Sequence, residues 1–248
     1  MPITAWICQG CGGRVVPLDH FETSECGTTT CHPDYAAAVL ADRASQPTGT
    51  VRVTHGLGCP RRVAIEEAEG YAVDPLGMNT AMTGVAWHAM MDKGSKGQGE
   101  IEVRGEIDGI SLVGHFDRYR KGIMEDHKHI KTWNLKYKKK EGADAAYVAQ
   151  VSIYGELAEQ SGLGRPERAI IWYHTTDDGF WPVEVPLMSV DEALAVHPYG
   201  CDYSVRELYG QMKIGRWQDM PKAGESIKFG QKTGCDYCSV RSICQGEF

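Results

Sequence analysis

Residues 101–132 read IEVRGEIDGISLVGHFDRYRKGIMEDHKHIKT, and their alternation decides the fold. Ile101 to Ile107 alternates apolar and polar side chains, Asp108-Gly109 is a two-residue hairpin signal, and Ile110 to Tyr119 returns. Lys121-Gly122 then turns the chain into Ile123 to Thr132, so three consecutive antiparallel strands are expected. Side chains alternate along a strand, which puts Asp126 and Lys128 on one face and Glu125, His127 and His129 on the other. Asp117, across the short turn, brings a second carboxylate toward Asp126. Two carboxylates at that distance repel unless a hard cation joins them, and oxygen ligands suit Mg²⁺ or Mn²⁺.

The flanks are helical. PRRVAIEEAEG follows Cys59, and Thr80 to Asp92 (TAMTGVAWHAMMD) sets Met82, Val85, Ala86, Ala89 and Met90 at helical spacing. His88 rides on that second helix and would offer the cation an imidazole. Asp144 to Gln160 makes a third helix with Gln150 and Tyr154 at i and i+4 on one face, ended by Ser161-Gly162. Arg168 to Thr175 and Phe180 to Val185 read as further strands. Taken singly, Asp117 and Asp126 read as surface acids and His88 as a satisfied helix histidine. Their order along the chain is what joins them.

With 248 residues, 42% of them hydrophobic, the chain has enough apolar material for one large domain or a domain with a small appendage. No run approaches the ~20 apolar residues of a membrane span, and MPITAWICQG lacks the basic start and apolar run of a secretory signal. A cytoplasmic address without a membrane partner is the expectation. The net charge of −7 argues on average against a polyanionic partner. Yet Arg118 to Lys140 holds nine Lys/Arg against Glu125 and Asp126, an asymmetry that marks either a surface for a polyanion or a solvated lysine loop at KYKKK.

Nine cysteines in close groups point to metal ligation rather than a disulfide framework. Cys8-x2-Cys11 with Cys26 and Cys31 resembles a zinc ribbon, His32 being an alternative fourth ligand and a loop with buried thiols the plain reading. Residues 1–35 show little periodicity and 41–50 reads as a linker, giving an expected N-terminal module and linker over 1–50 and a main domain over 51–248. Cys59 stands alone, whereas Cys235, Cys238 and Cys244 crowd the C-terminus; thiolates at these positions suit an iron-sulfur or a zinc centre. Cys201 is left over as a plain thiol.

The stretches GVAWH (84–88) and VGHFD (113–117), the triplet Asp126-His127-Lys128, and Gln150 with Tyr154 in QVSIY resemble the PD-(D/E)XK nuclease superfamily. Within it they resemble the RecB-like branch of CRISPR-associated iron-sulfur exonucleases and their phage relatives, over Cys59 to Cys244. One departure is Asp126, where the branch commonly has Glu.

The resemblance implies an α/β, restriction-endonuclease-like core with a central mixed β-sheet flanked by helices, and a C-terminal iron-sulfur segment. It implies that His88, Asp117, Asp126 and the His127 carbonyl hold the divalent ion. Lys128 would orient or help deprotonate the attacking water and stabilise charge, while Gln150 and Tyr154 position the scissile phosphate or the strand beside it. It implies a 4Fe-4S cluster on Cys59, Cys235, Cys238 and Cys244, single-stranded DNA ends as substrate, and recombination or CRISPR adaptation proteins as partners. The competing expectations are a nucleic-acid-binding assembly subunit with the same fold and little cleavage, and a redox or cluster-sensing protein.

Overall fold

The computed structural model describes residues 3–8, 11, 14–20, 33–44, 50–69, 71–73, 78–94, 99–177, 179–229 and 232–245. Two mixed sheets form its centre. In the first, the hairpin β5 (Ile101–Ile107) and β6 (Ile110–Phe116) is extended by β3 (Val51–Arg52), parallel to β6. In the second, β7 (Arg118–Arg120) and β8 (Ile123–His129) form a hairpin, β9 (Arg168–Thr175) runs parallel to β8, and β10 (Gly179–Val185) closes the edge antiparallel to β9. Both tight turns predicted from sequence are present, with positive φ at Asp108 and Gly109 and at Lys121 and Gly122.

The simple three-stranded meander does not form. The strand expected over Ile110–Tyr119 breaks at Asp117, and its continuation β7, rather than β6, pairs with β8. The physical reason lies in β8. Met124, Glu125, Asp126 and His127 are all buried, so the strand is covered on both faces and takes the parallel neighbour β9. The last expected strand also stops at His129, and Thr132–Glu141 is a helix.

Helix α5 (Ala145–Gln160) is buried nearly all round, from Ala146 to Ala158, and packs against both sheets with Phe116, Met124, Ile171 and Tyr173 in one core. Helix α3 (Asn79–Gly94) lies on β8, where a Cβ added to Gly84 would sit 3.8 Å from His129 Cβ. Helix α2 (Pro60–Glu69), which begins after Cys59, docks on the C-terminal segment: Arg61 donates to the Met220 carbonyl (2.8 Å) and Ser239 to buried Glu66 (2.5 Å). Among the described residues no helix is long and apolar enough to cross a membrane.

The N-terminal segment is ordered into β1 (Ile3–Cys8), β2 (Arg14–Val16) and helix α1 (Pro33–Ala44), which enters the stretch read as linker. β1 pairs antiparallel with β2 and parallel with β4 (Tyr71–Val73). Ile3, Trp6, Ala36 and Val39 share a core with Ile65, Tyr71 and Val240, so residues assigned to the N-terminal module pack directly on those assigned to the main domain.

Candidate active site

The antiparallel register of β7 and β8 sets Arg118 opposite Glu125, so Asp117 falls beside Asp126, and its N–H donates to the Glu125 carbonyl at 3.2 Å. Asp117 Oδ2 accepts from the His127 N–H (2.5 Å), and Asp117 Oδ1 lies 2.7 Å from His88 Nδ1. Gly84, one turn before His88, faces His129 on β8, so the packing of α3 on that strand brings the imidazole there. Lys128 Nζ lies 2.6 Å from Asp126 Oδ2 on the shared face that strand alternation dictates. On α5, Gln150 Nε2 donates to Tyr154 Oη (2.6 Å), both side chains buried.

All six side chains line one cavity of about 200 Å³, together with Arg52, Thr54, Glu100 and His115. These last four are absent from the sequence reading. Arg52 and Thr54 come from a strand two residues long and the turn after it, a segment too short to show periodicity. His115 alternates with Asp117 at the end of the VGHFD stretch, and that spacing was the available signal.

The charges hold one another in place. Burial raises the Asp117 carboxyl, but the His88 hydrogen bond and charge and the His127 N–H outweigh it and hold it below its ordinary range. The same hydrogen bond raises His88 against the opposing effect of burial. Asp126 is pushed up by burial and then by Asp117, with Lys128 opposing. Burial disfavours the Lys128 ammonium, yet Asp126, Tyr154 and Tyr147 hold its pKa above the ordinary value. Burial also raises Tyr154. His127 and His129 of β8 meet His174 of the neighbouring β9; burial, then the neighbouring His129 and His127, lowers His174 to about 4.

The donor set fits a hard divalent cation. Asp126 Oδ2 is buried with the Lys128 ammonium 2.6 Å away, so the ion would share this oxygen with a cation that already balances its charge. By donor type, two carboxylates and one imidazole lining a partly open cavity suit Mg²⁺ or Mn²⁺.

The family model of the PD-(D/E)XK nuclease superfamily matches residues 94–245, more than half of the chain. This chain belongs to the PD-(D/E)XK nuclease superfamily. Nucleases of this superfamily use Mg²⁺ or Mn²⁺, and the matched span holds Asp117, Asp126, Lys128, Gln150 and Tyr154, while His88 and Cys59 precede it. The crystal structure of SSO0001 superposes with a TM-score of 0.54 at 20% identity, covering 87% of this chain and 96% of that one, which shows a shared fold. A candidate exonuclease from Eubacterium rectale aligns over 47% of this chain and 48% of its own at 20% identity, with a TM-score of 0.32. No curated protein matches the chain.

Two cysteine groups lie away from this cavity. Cys59, Cys235, Cys238 and Cys244 line one end of a groove of about 1160 Å³, and none is in a disulfide. Gly224 admits them closely, since a Cβ there would meet Cys235 Sγ at 3.2 Å and Cys59 Cβ at 3.6 Å. Burial raises the Cys235 thiol and lifts Cys238 to about 11. At the N-terminus Cys8, Cys11 and His20 bring their ligand atoms within 4.8 Å of one another. His20, which follows the β1–β2 hairpin, was not read as a ligand; Cys26, Cys31 and His32 lie outside the described residues. Cys201 is buried against Ala223 and Ser226, in an apolar cluster on which Cys59 packs, and does not line the groove.

Proposed function

We propose that the chain is a metal-dependent deoxyribonuclease of the RecB-like branch that hydrolyses phosphodiester bonds at the ends of single-stranded DNA. The observation that carries this reading is the convergence of His88, Asp117, Asp126, Lys128, Gln150 and Tyr154 on one cavity. His88, Asp117, Asp126 and the His127 carbonyl would hold Mg²⁺ or Mn²⁺. When bound, the ion would supply Lewis acidity toward the phosphodiester and ease deprotonation of the attacking water.

The chain's own groups supply the rest. The Lys128 ammonium would orient that water and lend positive charge to the phosphate as negative charge builds. Tyr154 accepts a hydrogen bond from Gln150, which leaves its O–H to donate to a phosphate oxygen and fix the strand. Burial of Gln150 and Tyr154 on a core helix pre-organises both.

The four thiols of Cys59, Cys235, Cys238 and Cys244 are proposed to ligate a 4Fe-4S cluster. Their shared cavity and soft donor set support this. Cys8, Cys11 and His20 would hold Zn²⁺, for which sulfur and nitrogen donors are well suited. The test of the activity is incubation of end-labelled single-stranded DNA with Mn²⁺. The wild type should shorten it and Asp117→Ala should not; equal digestion by both would sink the assignment.

A further inference from the structure

Helix α4 (Thr132–Glu141), with sequence TWNLKYKKKE, turns most of its surface to water, Leu135 being its buried residue. Trp133 is 59% exposed and Tyr137 43%, and as i and i+4 they share one face. Their rings meet edge to face with centroids 6.3 Å apart. Lysines stand among the rings: Lys136 Nζ is 4.9 Å from the Tyr137 centroid, and Lys139 Nζ is 5.1 Å from that of Trp181, itself an exposed aromatic on β10. Lys138 is engaged by Asp144 at 2.5 Å, so the solvent-facing charge comes from its neighbours.

Trp133 brings one end of this face to a groove beside the active site. Trp133 lines the 1160 Å³ groove, which continues past Lys131, Asn134 and Tyr147 to Thr54, Lys128 and Gln150. The last three also line the active-site cavity, so the groove adjoins it. Arg62, Lys222 and Arg241 also line the groove, beside the cysteines, with Glu225 the acid among them. A groove lined by cations with exposed π faces at its edge is complementary to a phosphate backbone whose bases are unstacked.

We propose that Trp133 and Tyr137 form a base-stacking platform that receives unpaired nucleotides and directs the strand along the groove to Lys128. This rests on the nuclease reading and deepens it. A duplex hides its base faces within its own stack, so the platform selects single strands, while the lysines serve either form through phosphate charge.

The test is binding of the full-length chain, in Ca²⁺ in place of Mn²⁺, to a fluorescent 15-nucleotide oligothymidine and to a duplex of equal length. Trp133→Ala/Tyr137→Ala should weaken oligothymidine binding about tenfold or more and duplex binding far less. Trp133→Phe/Tyr137→Phe, which keeps the π faces, should restore most of the affinity. Oligothymidine should quench tryptophan fluorescence of the wild type, and less so of Trp133→Phe. Unchanged oligothymidine affinity in the alanine variant, or equal losses on both ligands, overturns the platform. A wild-type dimer that the alanine variant dissolves, with DNA affinity intact, assigns the face to a protein partner and overturns it too. Because the readout is binding, a chain that fails to cleave but shows the single-strand loss keeps the platform and removes the nuclease reading.

Discussion

His88 Nδ1 lies 2.7 Å from Asp117 Oδ1, joining a helix to the point where the chain passes from one sheet to the other. The contact commits one oxygen of Asp117 to an imidazole, while the His127 N–H engages the second. Asp117→Ala removes both contacts and a carboxylate donor. Cleavage should fall by at least about a hundredfold, which is about 3 kcal/mol of transition-state stabilisation. His88→Ala should be milder, raising the Mn²⁺ concentration for half-maximal cleavage by about 10- to 100-fold, as for other groups that tune a metal site. A metal titration of both variants checks the order.

The Asp126–Lys128 pair separates stability from activity. Lys128→Ala leaves a buried carboxylate without its ammonium, which should cost about 3–5 kcal/mol. Asp126→Asn/Lys128→Met removes both charges and should recover much of that stability without recovering cleavage. Urea unfolding alongside a nuclease assay distinguishes the two; a cleaving double variant would exclude the pair from the chemistry.

Gly114 is set by packing. A Cβ there would stand 2.6 Å from the Tyr154 ring and 3.2 Å from Val53 Cγ2. Gly114→Ala must displace Tyr154, with an expected cost of about 1–3 kcal/mol and reduced cleavage. Full activity with an unshifted thermal midpoint would show that Tyr154 has room to move.

Anaerobically purified protein should absorb in the visible if the four thiols hold a cluster. Cys59→Ala should lose that absorbance and lower the thermal midpoint, because Cys59 joins α2 to the C-terminal trio. Cys201→Ser, which does not line the groove, should keep the colour. A colourless wild type that binds zinc through these thiols instead would replace the cluster assignment.

His55 carries a predicted acid sensitivity. Burial first, then Arg52 and Arg62, lowers it to about 4 from the ordinary 6.5, and its Nδ1 accepts from the Arg52 N–H. Between those values the unfolded chain binds the extra proton, so the contribution of His55 is full above about pH 6.5 and is lost as pH falls toward 4. His55→Asn offers the same N–H an amide oxygen that does not titrate in this range. Its thermal midpoint should fall less than that of the wild type between pH 7 and pH 5.

Where a feature depended on near neighbours along the chain, the sequence made it legible. The Asp108-Gly109 and Lys121-Gly122 turns follow from dipeptide signals, and the common face of Asp126 and Lys128 and the adjacency of Gln150 and Tyr154 from periods of two and four residues. The break at Asp117 was not legible, because a seven-residue strand and a three-residue strand in succession alternate like one long strand. His20 was missed beside Cys11 for a related reason: the β1–β2 hairpin brings them together in space, and no short periodicity marks the pair.

The sequence by itself determined the local order of this protein: which residues share a strand face, which ride one side of a helix, and where acids, lysine and thiols fall. The tertiary structure alone decided that β8 is covered on both faces, that β1 joins β4 across the chain, and that Arg52, Thr54 and Glu100 reach the cavity. It also decided that Trp133 lines the groove beside it. The physical reason is that alternation and helical spacing arise from backbone geometry over a few residues, whereas these juxtapositions arise when distant segments bury a common core.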